Sequence, residues 1–140
     1  MTKVNVNQLP QQGVKSLELQ FPDGWDVHIA NMNGHDRRPL TIDAVRASLQ
    51  KPLGTKTIQE LAKGKNEVAI IFDDYARGSK WGDIATLVLE DLAAAGIPDE
   101  NIRFICGLGN HGTGNRTDMV RKLNEDIVSR YMVVNHNAFV

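Results

Sequence analysis

VAIIFDDYARG, residues 68–78, opens with five apolar side chains, Val68 to Phe72, and runs straight into Asp73, Asp74, Tyr75, Ala76, Arg77 and Gly78. A short apolar run bounded by turn-forming residues has the pattern of a strand, and its lack of polar alternation predicts burial on both faces. Such strands belong to parallel sheets covered by helices, where ligands bind beyond the carboxyl ends of the strands. The polar cluster that follows Phe72 therefore stands where a site is expected.

Towards the carboxyl end, Ile84, Leu87, Val88 and Leu92 recur at helical spacing, predicting a helix over 80–95 that Gly96 closes. A second strand is expected over 102–106. The loop GLGNHGTGN, 107–115, leads into a helix from 116 or 117 with Met119, Val120 and Leu123 on one side. That helix is expected to break at Asn124 and resume through Ile127 and Val128. A third strand, 131–134, is followed by Asn135, His136 and Asn137. The order is β-α-β-α-β. Its crossovers are right-handed and make parallel neighbours, so the loops after all three strands share one rim of the sheet. Asp73, Asp74 and Arg77 come to that rim from the first loop, Asn110 and His111 from the second, His136 from the third. The sequence ends six residues after the third strand, where a doubly wound sheet ordinarily continues, which reads as the front part of something larger.

Towards the amino end, residues 1–14 are polar and are expected to be a flexible arm, leaving 15–140 as the domain. Leu17, Leu19 and Phe21 alternate with polar residues, Pro22-Asp23-Gly24 supplies a turn, and Trp25, Val27 and Ile29 alternate again. This predicts a β-hairpin with one apolar face. Thr41 can cap a helix carrying Ile42, Val45 and Leu49. Thr55 or Thr57 can start a shorter one with Ile58, Leu61 and Ala62. The expected class is α/β: a Rossmann-like parallel sheet with flanking helices, plus an N-terminal β-hairpin.

Of the 140 residues, 41% are apolar and 24% charged, an ordinary soluble balance, and the net charge of −1 gives no electrostatic case for nucleic acid or an anionic membrane. Cys106 is the single cysteine, so no disulfide closes within the chain, which fits a reducing compartment. The start lacks a signal-peptide apolar core and no run is long enough to span a bilayer, so a cytoplasmic location is expected.

Asp74 and Arg77 can orient and charge-balance each other, freeing the guanidinium fork to grip a carboxylate or phosphate. The plainer reading makes Asp73 or Asp74 a helix cap and Arg77 a solvated loop residue. His111, in a glycine-flanked loop, suits acid–base work near neutrality, or is simply a surface histidine. His136 can join the rim or satisfy a strand end. His28 and His35 have no evident partners, and four scattered histidines make no metal site of their own. Gly107-Leu108-Gly109-Asn110-His111-Gly112 spells G-x-G-x-x-G after a strand. As a dinucleotide fingerprint it is weak: Thr113-Gly114-Asn115 delay the helix, and Asn135-His136 stand where the ribose-binding acid belongs.

Three runs carry a family resemblance: PLGTKTIQELAKGKNEVAIIFDDYARG (52–78), LEDLAAAGIPDENIRFICGLGNHG (89–112) and YMVVNHNAF (131–139). Together, over roughly 15–140, they resemble the amino-terminal domain of the nickel-pincer lactate racemases. That family has strands ending in Asp-x-Thr-Arg-Pro, Thr-Gly-x-His-Arg and near His-Asp. Here these become Asp74-Tyr75-Ala76-Arg77-Gly78, Leu108-Gly109-Asn110-His111-Gly112 and His136-Asn137. The resemblance implies an active-site Asp74, a substrate-carboxylate anchor in Arg77 and a proton-exchanging histidine in His111. It implies reversible hydride transfer from a 2-hydroxy acid to a nickel-pincer nucleotide.

Ala76, Gly78 and Gly112 replace the family's Thr, Pro and Arg, which implies a changed substrate or changed cofactor contacts. The family's second proton-exchanging histidine, its cofactor-bearing lysine and its nickel-ligating histidine match nothing here. The cofactor is therefore expected in the full-length enzyme and not on this chain, with a C-terminal part of the same protein as partner. Two other readings stand beside this one. The first is a non-catalytic α/β module that binds a carboxylate or nucleotide. The second is a fragment of a dinucleotide-dependent oxidoreductase.

Overall fold

Phe104 has no exposed surface and marks the centre of the fold. In the computed structural model, which describes residues 1–7 and 16–139, it sits on the middle strand of three. These are β3 (Val68–Asp73), β4 (Ile102–Gly107) and β5 (Met132–Asn135), in the order β3-β4-β5 and parallel throughout. The ring of Phe104 meets Phe72 at 6.4 Å and Tyr131 at 5.7 Å, both edge to face. Burying a side chain of this size contributes roughly 1.5–3 kcal/mol.

Helix α3 (Gly82–Ala94) joins β3 to β4, and α4 (Arg116–Leu123) with α5 (Glu125–Arg130) joins β4 to β5. Both crossovers step the same way across the sheet. Right-handedness then puts all three helices on one face. Val68, Ile70, Phe72, Phe104 and Cys106 turn to that face and join Leu92, Met119, Leu123 and Ile127 in the core. The other face corrects the expectation of a strand buried on both sides. Ile71 is 72% exposed, and Ala69, Met132 and Val134 are exposed with it.

Helices α1 (Ile42–Leu49) and α2 (Ile58–Ala62) pack on α3. Thr41 caps α1 by accepting from the Ala44 N–H, as expected. Of the two threonines available to α2, Thr57 is the cap, in a reciprocal box with Glu60. The helix breaks at Asn124, which stands at φ 72°, ψ 159°.

The chain divides into two units, Met1–Pro39 and Leu40–Val140. No buried core residue precedes Ala62 among those described, so the buried core lies in the second unit. The N-terminal hairpin exists with a different pairing from the one expected. Strand β1 (Thr2–Asn7) pairs antiparallel with β2 (Ser16–Phe21), setting Val4 opposite Leu19 and Val6 opposite Leu17. Residues 2–7 are therefore a strand, not part of an arm; residues 8–14 lie outside those described. Val4 and Val6 carry the alternation that cross-strand pairs need. The segment 25–29 forms no strand. Trp25 turns back through its N–H to the Pro22 carbonyl and packs on Phe21, ring centroids 6.2 Å apart.

Candidate functional site

Parallel pairing sets Asp73 beside Gly107 at the carboxyl edge of the sheet. The loops that follow β3 and β4 are therefore neighbours. Between them lies an open hollow of about 370 Å³, lined among others by Asp73, Asp74, Arg77, Asn110 and His111. This volume falls within the range of small-molecule sites.

Asp74 is only 4% exposed. Its Oδ1 accepts the Ala76 N–H at 3.0 Å, and its carbonyl accepts the Arg77 N–H at 3.2 Å. Such an Asx-type turn is what Asp supplies in tight loops. Its Oδ2 bonds Nδ1 of His111. The expected Asp74–Arg77 pairing is absent: the carboxylate is spent on His111 and on its own loop. Arg77 is exposed, and its guanidinium has no hydrogen bond or ion pair among the described residues.

His111 is held by a turn whose N–H donates to the Leu108 carbonyl at 3.0 Å, with Gly109 at φ 58°. Beyond it the loop is latched to β5. The Asn135 side chain accepts the Gly114 N–H (3.2 Å) and donates to the Gly114 carbonyl (3.0 Å), copying a backbone pair. A Cβ on Gly114 would stand 3.2 Å from the Tyr75 ring, so the two loops touch there. Sequence reasoning missed Asn135 as a latch. Its signal was an amide at the end of a strand.

Asp73, on the wall of the hollow, has its carboxylate already bonded. It accepts from Trp81 Nε1 (2.5 Å), Ser79 Oγ (2.5 Å) and Lys122 Nζ (2.8 Å). Burial raises its pKa, but these donors outweigh burial and hold the carboxyl below the usual carboxylate range. Neither acid caps the next helix: α3 starts from Trp81 with no side-chain cap. His136 gives its backbone N–H to the Cys106 carbonyl, and its side chain is not part of the hollow. His28 and His35 lie beside Asp26 and Asp36 in the other unit. The buried Cys106 thiol is pushed up by desolvation and then by the Asp74 charge. The G-x-G-x-x-G run does not open a helix, since α4 begins only at Arg116.

A second hollow, about 290 Å³, is lined by Glu90, Asp99, Arg130 and Tyr131. Three of its charged groups and its tyrosine hydroxyl are already matched, Asp99 with Arg130 and Tyr131, Glu90 with Arg46. The strand-end hollow instead holds an uncommitted cation beside an oriented imidazole.

A family model, the lactate racemase N-terminal domain, matches residues 12–139. The chain belongs to that family. The lactate racemase of Lactiplantibacillus plantarum is 33% identical to this racemase-family domain over 94 residues, 67% of the chain and 22% of that protein. The lactate racemase of Thermoanaerobacterium thermosaccharolyticum is 29% identical over 96 residues, 69% of the chain and 22% of that protein. The solved lactate racemase apoprotein from the latter organism superposes with a TM-score of 0.67 at 25% identity, covering 97% of the domain and 30% of that structure. The domain thus spans about a fifth of the length of the curated relatives it matches.

Proposed function

We propose that this domain is the amino-terminal part of a nickel-pincer-nucleotide-dependent racemase or epimerase of a 2-hydroxy acid. In this reading the reacting carbon loses and regains a hydride while His111 exchanges the hydroxyl proton. The observation that carries it is the Asp74–His111 pair set in one hollow beside Arg77, whose guanidinium has no partner among the described residues. Among the described residues no three His, Cys, Asp or Glu side chains converge as a metal site requires. In this reading Asp74, Arg77 and His111 do not ligate the nickel. Their part is to bind, orient and exchange protons.

Arg77 presents two parallel N–H groups to a substrate carboxylate, which fixes the hydroxyl-bearing carbon next to His111. The Asp74 carboxylate keeps a proton on Nδ1 of His111. Nε2 is then left with its lone pair as the acceptor of the hydroxyl proton. In this reading Asp74 acts through His111 and is a positioning residue. The remaining groups would come from a C-terminal part of the same protein.

The test is racemisation of single-enantiomer lactate and other 2-hydroxy acids by the protein that joins this domain to such a part. Inversion that falls in His111→Ala supports the reading. Absence of inversion with every 2-hydroxy acid offered would overturn it. An Arg77 fork with no partner among the described residues by itself favours a second reading, a module that holds a carboxylate or nucleotide without turnover.

A further inference from the structure

Lys122 sits on α4, yet its ammonium works on the loop after β3. The side chain is buried, the residue only 4% exposed. Its Nζ donates to Asp73 Oδ1 (2.8 Å), the Arg77 carbonyl (2.8 Å), the Ser79 carbonyl (3.0 Å) and Ser79 Oγ (3.0 Å). An ammonium carries three donors, so these acceptors use all of them and none remains for a ligand. Burying a charge is costly unless it is paired and fully bonded, and Asp73 with this set of oxygens meets that condition.

The acceptors are informative. Two are backbone carbonyls of the loop itself, at Arg77 and Ser79, and not groups of a regular element. The peptide units on both sides of Arg77 are thereby fixed. Its N–H is bound to the Asp74 carbonyl and its own carbonyl to Lys122. The loop's far end is tied to the same two residues: Trp81 donates its N–H to the Lys122 carbonyl (2.7 Å) and Nε1 to Asp73 (2.5 Å). A loop whose only task was to connect two elements would need no buried cation under its carbonyls.

We propose that Lys122 is a positioning residue. By holding the Arg77 and Ser79 carbonyls from beneath, it sets the direction in which the Arg77 guanidinium leaves the loop, and so sets affinity for the substrate carboxylate. It touches no substrate. This rests on the reading of Arg77 as the carboxylate anchor.

The experiment is nuclear magnetic resonance on the 140-residue chain with L-lactate as the probe. It compares wild type, Arg77→Lys, Lys122→Met and Ser79→Ala. Lactate affinity is read from the Arg77 side-chain N–H signal in wild type, Lys122→Met and Ser79→Ala, and from the His111 ring signals in all four. Hydrogen exchange is read at the Arg77 and Phe104 amides. Lys122→Met is expected to weaken lactate about tenfold, which is about 1.4 kcal/mol. It should also speed exchange at Arg77 while leaving Phe104 protected. A folded Lys122→Met with wild-type lactate affinity and wild-type Arg77 exchange overturns the proposal. So does equal acceleration at Arg77 and Phe104, which is the mark of a purely structural role. If Lys122→Met fails to fold, Ser79→Ala decides, with the same signs and smaller size; no change at Arg77 overturns the proposal. If wild type binds neither lactate nor any other 2-hydroxy acid offered in its place, or Arg77→Lys binds as well as wild type, the carboxylate reading falls separately. The exchange comparison then judges Lys122 alone.

Discussion

The Asp74 carboxylate bonds Nδ1 of His111 across 37 residues of sequence, with Asp74 almost wholly buried and His111 half exposed. The buried partner holds and the exposed partner faces the hollow. Ring orientation at His111 is thus tied to one residue on a neighbouring loop.

Asp74→Asn keeps the shape of that contact and removes its charge. An amide can also present its N–H₂ to Nδ1, which selects the wrong tautomer. Turnover of a 2-hydroxy acid by the complete protein should fall by about 10²–10⁴, with substrate KM nearly unchanged. Steady-state racemisation kinetics check this, and a rise in KM with turnover intact would place Asp74 in substrate binding instead.

Arg77→Lys keeps the charge and loses the fork. Substrate binding should weaken and turnover should drop with it, because the reacting carbon is no longer held in register with His111. Stability should be unaffected, since the side chain is exposed and unpartnered among the described residues. Unchanged values of both KM and kcat would remove Arg77 from the site.

Asn124 stands at φ 72°, ψ 159°, a region essentially reserved for glycine, and its side chain fills the space over Gly82. A Cβ at Gly82 would lie 2.3 Å from the Asn124 Cγ. Asn124 is exposed and its side chain can rotate aside, so Gly82→Ala should cost about 0.5–1.5 kcal/mol. Asn124→Gly should stabilise by relieving strain, and the double variant should recover most of the loss. Thermal denaturation of the three variants tests it; a Gly82→Ala protein as stable as wild type would contradict the packing at this helix junction.

Stability should fall at both ends of the pH scale for identifiable reasons. Burial, then the hydrogen bond to Asp99, pushes the Tyr131 hydroxyl from its ordinary 10.0 up to about 12. The folded state holds this proton more tightly than the unfolded state. Its contribution is complete below pH 10 and is lost as pH rises through 12. Asp73 is displaced downward, so its contribution is present above its ordinary 3.8 and disappears as pH falls through the lowered value. Denaturant melts across pH should show Tyr131→Phe flattening the alkaline limb and Asp73→Asn the acid one. Limbs that stay as steep in the variants would assign the loss to other groups.

The sequence by itself determined what is local. The apolar run at 68–72, the caps at Thr41 and Thr57, the stop at Gly96 and the break at Asn124 depend on side chains within a turn or two of one another. The β-α-β-α-β order then brings Arg77 and His111 to one rim, because strands joined by crossovers run parallel and end on the same edge of the sheet. What only the tertiary structure decided is partnership at a distance. Alternation at 25–29 is the stronger of the two locally, yet it is residues 2–7 that find a register with Leu17 and Leu19. Asp74 could have paired with Arg77 three residues away, but the turn that bonds its Oδ1 to Ala76 aims Oδ2 at His111. Lys122 belongs by residue type to a solvated face. It is buried because the loop after β3 offers it a carboxylate and two carbonyls, and that offer exists only once α4 has packed beneath the loop. Periodicity encodes which face of an element is apolar; it carries no information on which polar group a neighbouring loop will bring to meet it.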